Sequence, residues 1–103
     1  ILFVGNSITL HGIKEDIGWF NEWGMAASAL ENDYIHKTVE MLEKTYSKIG
    51  YCICQAAEWE LNYKIGNTVL EPYKKAREFE ADIIVMRLGE NMGMNIHSVC
   101  QRR

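Results

Sequence analysis

The stretch "ILFVGNSITL", residues 1–10, decides the fold. An unbroken apolar run, Ile1 to Val4, stops at Gly5 and is followed at once by Asn6, Ser7 and Thr9. A short apolar run bounded by glycine is the pattern of a strand buried on both faces, as in parallel sheets covered by helices. The glycine removes side-chain bulk where the chain turns sharply, and backbone N–H groups after such a turn can converge on an anion. Ser7 is therefore either part of an ordinary turn or a nucleophile displayed at the carboxyl edge of a sheet.

From Thr9 to Ala27 periodicity is lost, and Gly12, Gly18 and Gly24 punctuate a loop that carries Trp19, Phe20 and Trp23. A helical stripe follows, with Tyr34, Ile35, Thr38, Val39, Leu42 and Tyr46 on one side and Glu40, Glu43, Lys44 and Lys48 opposite. Ser28 and Glu31 have capping-box spacing, and Asn32 or Asp33 can also cap, so the helix is expected to begin within 28–33. Gly50 is expected to end it as a left-handed cap. Tyr51–Ala56 reads as a second strand and 57–67 as a second loop, with Trp59 in it. A second helix is predicted over 69–79, Pro72 being tolerable in its first turn. Ile83–Leu88 reads as a third strand, closed by Gly89. Strand, helix, strand, helix, strand, with long crossovers, predicts an open α/β parallel sheet. Ligands in such sheets bind beyond the carboxyl ends of the strands, which directs attention to the loops after Val4, Ala56 and Leu88.

At 103 residues the chain is one domain at most. Apolar residues make up 48% and charged residues 24%, a globular composition rather than a disordered one. The net charge is −3, with no Lys/Arg run able to track a phosphate backbone, so nucleic acid is not an expected partner. No apolar stretch reaches the roughly 20 residues that span a bilayer, so no membrane partner is expected. Cys52, Cys54 and Cys100 fit neither a redox CxxC nor a zinc half-site. Buried free thiols favour a reducing compartment, and the cytoplasm is the expected location.

A serine after a strand commonly closes a turn, and Asn91 after Gly89 does the same; together the two loops say more. Gly5-Asn6-Ser7-Ile8-Thr9 and Gly89-Glu90-Asn91 resemble the first and third motifs of the SGNH (GDSL-type) hydrolases, a family of serine esterases and acyl hydrolases. In the first motif Asn6 stands where that family usually has aspartate, and in the third Met92 stands where an aspartate usually follows. The resemblance spans Ile1 to about Asn91. It implies a flavodoxin-like three-layer α/β/α fold, of which residues 1–103 hold the first three strands and two helices of a partial domain. It also implies Ser7 as nucleophile and an oxyanion hole formed by the Ser7 N–H, the Asn91 side chain and a second-motif N–H. The second motif should follow strand two, where the chain reads Gln55-Ala56-Ala57-Glu58-Trp59-Glu60 without a glycine, so Ala57, Glu58 or Glu60 is the candidate donor. Asn6, Gly89 and Glu60 are the expected substrate-binding residues. No cofactor or metal is implied.

The expected substrate is a small-molecule ester. Trp19, Trp23 and Trp59 near the site suggest an acylated carbohydrate, although tryptophans also serve simply to pack loops. The family draws its base from an Asp-x-x-His motif near the C-terminus, expected to lie beyond Arg103, so the isolated piece is expected to be inactive. Asp33-Tyr34-Ile35-His36 spells that motif, but at a helix start, where Asp33 reads as a cap. His97, soon after the third motif, and His11, close to Ser7 in sequence, are the other histidines, and neither is expected to supply the base. Self-association through an uncovered sheet edge is a further expectation. The alternative function is a non-catalytic flavodoxin-like module binding an anion or nucleotide, although the first loop has one glycine where a pyrophosphate cradle uses three.

Overall fold

The computed structural model describes residues 1–65 and 71–92. Three parallel strands form the sheet: β1 (Leu2–Gly5), β2 (Cys52–Gln55) and β3 (Ile84–Arg87), in the order β2-β1-β3. Leu2 pairs with Cys52 on one side and Ile84 on the other, and Gly5 with Gln55 and Arg87. All three strands therefore end at the same edge. This is an α/β fold, and its strand order is compatible with the start of a flavodoxin-like sheet.

Alternation along the strands sorts the core into two layers. On one face Phe3, with Ile53 and Val85 beside it, packs against Ile35 and Val39 of helix α1 (Tyr34–Glu43). Phe3 and Ile35 are fully buried, and the Phe3 ring meets Tyr34 edge-on at 6.0 Å. On the other face Leu2, Val4, Cys52 and Cys54 pack with Trp59 of helix α2 (Ala57–Asn62), with Ala76 of helix α3 (Lys74–Glu78) and with Tyr73 just before it. The central strand is thus covered on both sides, as the apolar run at residues 1–4 predicts. Ile84 and Met86 of β3 stay largely exposed on the α2/α3 face, at 58% and 66%. Beside them lies an apolar cleft of about 300 Å³ lined by Val4, Trp59, Tyr73, Met86 and Leu88 among others.

Three sequence expectations are corrected. The 57–67 segment is not simply a loop: α2 occupies Ala57–Asn62, followed by a 3₁₀ turn at Tyr63–Ile65. Helix α1 ends at Glu43, not Gly50, because its buried stripe is exhausted at Leu42 and Tyr46 is exposed. Gly50 does not adopt a left-handed conformation. The helix predicted over 69–79 is regular only at Lys74–Glu78, its first residues lying outside the described ones. Asp33 is the cap of α1, its carboxylate accepting from the His36 N–H at 2.8 Å. No described helix is long and apolar enough to cross a membrane.

Candidate active site

The loop after β1 is built by close packing. Gly5 is buried, and a Cβ there would overlap the Thr9 hydroxyl and come within 3.0 Å of the Arg87 carbonyl oxygen. Thr9 is fully buried, its N–H donates to the Asn6 carbonyl at 2.9 Å, and its hydroxyl pairs with the Tyr34 hydroxyl at 2.8 Å. The first loop is therefore folded back over the glycine and fastened to α1. The Met25 N–H donates to the Ser7 carbonyl at 2.9 Å, and Gly24 passes so close to the Ile8 carbonyl that no side chain fits there. Ser7 is half-buried between these anchors. Among the described residues neither its N–H nor its hydroxyl has a hydrogen-bond partner.

Asn6 points inward and is 2% exposed. Its amide nitrogen donates to Glu90 Oε2 at 2.6 Å and lies 3.4 Å from both oxygens of Glu60. Its carbonyl oxygen accepts from the Ile8 N–H at 3.3 Å and from Arg87 Nη1 at 3.4 Å. Glu60, on α2, is 1% exposed. Besides Asn6 it receives the backbone N–H of Gly89 at Oε1 and the side-chain amide of Asn91 at Oε2, the latter at 2.6 Å. Gly89 holds φ at +131°, a region that suits glycine alone, and its carbonyl accepts from Met92 to close the turn. Arg87 and Glu90 form an ion pair at 2.5 Å on the outer side of the cluster. The Glu90 carboxyl is held below the usual glutamate range, first by its own backbone N–H, then by the Asn6 amide, with Arg87 adding to the effect.

Residues far apart in the chain thus converge at one sheet edge: Asn6 beside Ser7, Glu60 on α2, and Gly89, Glu90 and Asn91 after β3. Asn6, Gly89 and Glu60 spend their polar groups largely on one another. Of the three candidate second-motif donors, Glu60 gives its N–H to the Ala56 carbonyl and Ala57 gives its own to the Gln55 side chain. The Glu58 N–H has no partner among the described residues.

The two described histidines are engaged elsewhere. His36 Nδ1 lies 2.7 Å from Asp33 Oδ1, within the cap of α1, and its ring packs edge-on against Tyr51. His11 Nδ1 lies 2.6 Å from its neighbour's carbonyl at Gly12. His97 and Cys100 lie outside the described residues. The tryptophans are bound into the structure: Trp19 and Trp23 pack edge-to-face at 6.0 Å and donate to the carbonyls of His11 and Ala27. Trp59 packs against the core and its backbone N–H donates to the Tyr73 hydroxyl. Burial pushes the Tyr73 hydroxyl pKa up. Among the described residues no group of His, Cys, Asp or Glu side chains could hold a metal ion.

The sequence singles out Glu60 in "AEWELN" as a candidate donor and substrate-binding residue, but its role as the hub of this cluster escapes a reading of the sequence. The one local signal is an acid beside Trp59 just after a strand. In comparisons with known proteins, no family model, no curated protein and no solved structure matches this chain.

Proposed function

We propose that the chain carries the nucleophile and oxyanion donors of a serine esterase of the SGNH type. The carrying observation is the convergence of the two loops on Glu60, with Asn6 and Asn91 both donating to its carboxylate. In this reading the Ser7 hydroxyl attacks the ester carbonyl, and its proton passes to a histidine base. The oxyanion of the tetrahedral intermediate accepts hydrogen bonds from the Ser7 N–H, the second hydrogen of the Asn91 amide and the Glu58 N–H. Collapse expels the alcohol, and water then releases the acyl group. The N–H groups of Ser7 and Glu58, which have no partner among the described residues, support the oxyanion role, because donors already engaged could not serve it.

The base is the part that the described residues do not bring to Ser7. The family resemblance puts it in an Asp-x-x-His further along the chain. The anion-binding alternative is disfavoured by Glu60 and Glu90, two carboxylates set beside the loop that would have to hold a phosphate.

The test is covalent labelling with a fluorophosphonate on the chain carried through its downstream coding sequence, read by intact mass and peptide mapping. One adduct, on Ser7, absent in Ser7→Ala, is the expected result. No adduct, or one that survives Ser7→Ala, overturns the reading.

A further inference from the structure

An asparagine serving as an oxyanion donor has a specific weakness. Its carboxamide is nearly symmetric in shape, so a half-turn about its last bond replaces the NH₂ with an oxygen and turns a donor into a repelling acceptor. Something must decide which end faces the reacting carbonyl. In this chain Asn91 is exposed, so packing does not hold its amide. Its Nδ2 instead donates at 2.6 Å to Glu60 Oε2.

We infer that Glu60 is the positioning residue for Asn91: its carboxylate selects the amide orientation that leaves the second N–H free for the oxyanion. The inference rests on the esterase reading above. An ionised carboxylate has acceptors and no donor, so it binds the NH₂ end and repels the carbonyl end. The same carboxylate takes the Gly89 N–H, which fixes the turn that carries Asn91, and faces the Asn6 amide, which fixes the residue before Ser7. Glu60 is itself held by α2 and is 1% exposed, so it forms a rigid reference for both loops. It lies behind the donors and is no candidate base, since its oxygens already face Asn6, Gly89 and Asn91. A burial of this kind is costly for a charge unless hydrogen bonds compensate it. Three N–H donors from two loops do so here.

Two measurements test the inference. The first uses the unaltered chain and nuclear magnetic resonance. The Asn91 Nδ2 hydrogen bonded to Glu60 is expected to exchange with water at least about 10-fold more slowly than its geminal partner. In Glu60→Gln that difference should vanish and the Gly89 amide proton should move upfield, while the Asn62 side-chain signals, whose amide donates to the Glu58 carbonyl, stay in place. Equal exchange of the two Asn91 hydrogens in the unaltered chain overturns the inference even if Glu60→Gln fails to fold.

The second measurement is the rate of fluorophosphonate labelling at Ser7 in the extended chain. Glu60→Gln should slow it on the order of 10- to 100-fold, part of what one oxyanion donor is worth. In an Asn91→Ala background the same change should cost much less than in the unaltered chain, because its effect through Asn91 is already lost and only its hold on the Asn6 side remains. Independent, multiplying losses would mark a merely structural role and overturn the inference. Absence of labelling in the unaltered extended chain would instead overturn the esterase reading, leaving the exchange rates to decide the hydrogen-bond geometry.

Discussion

At the scale of single residues, Asn6 is the amide that Glu60 and Glu90 share. An aspartate at that position would face Glu60 and Glu90 within hydrogen-bonding distance, three carboxylates with too few protons between them. Asn6→Asp is expected to destabilise the fold at neutral pH by about 1–3 kcal/mol, the range for a buried group denied its partner. The loss should shrink as pH falls and the carboxyls protonate, which urea unfolding at two pH values would reveal. Gly5→Ala tests the other end of the loop: its Cβ overlaps Thr9, and overpacking of this kind typically costs about 1–3 kcal/mol. Part of that cost should return in Gly5→Ala/Thr9→Ala, since the overlapping hydroxyl is gone. Glu90 gives a pH signature. Its folded pKa is lowered, so its stabilisation is complete above the unfolded glutamate value and fades as pH falls through the folded one. Glu90→Gln should therefore narrow the stability gap to the unaltered chain in acid, as measured by denaturation midpoints across the acid range.

At the scale of elements, the strands were readable as short apolar runs closed by turn residues, although only β1 is covered on both faces and β3 leaves Ile84 and Met86 exposed. Ile1–Val4, Tyr51–Ala56 and Ile83–Leu88 each match an observed strand to within one residue at either end. Helix boundaries were less legible. The charged residues after Leu42 continue a helical spacing, yet nothing remains there to bury, and the chain leaves the helix where packing ends. Helix α2 was hidden because six residues rich in acid carry too short a stripe to register, and its Glu60 faces inward by virtue of partners distant in sequence. The site shows the same division: Ser7 and Asn91 are visible as motif letters, whereas the hub joining them exists only in three dimensions. Two outcomes belong to this scale. Asp33→Ala should cost about 0.5–2 kcal/mol through the lost cap of α1, measurable by thermal or chemical unfolding. On β2, burial first and the neighbouring Cys52 second push the Cys54 thiol pKa up. Iodoacetamide should thus alkylate half-buried Cys52 well before Cys54 in the folded chain, and mass mapping at short times would show the order.

At the scale of the whole molecule, the order β2-β1-β3 puts the first strand of the chain at the centre of the sheet. The described part of β3 presents Ile84 and Met86 outward beside an apolar cleft, and pairs with no strand on its far side among the described residues. We propose that this margin makes residues 1–103 self-associate, and that Met86→Lys reduces the association; sedimentation velocity over a concentration series would detect it, and a concentration-independent monomer would contradict it. The pairing of Leu2 with both Cys52 and Ile84 also has a bearing on biosynthesis. Of the three described strands β1 is made first, so it can gain neither lateral neighbour until β2 and β3 follow, and β3 comes close to the end of the described residues. Until then its apolar side chains lack both neighbouring strands, and the Ser7 loop at its end is expected to order late in folding.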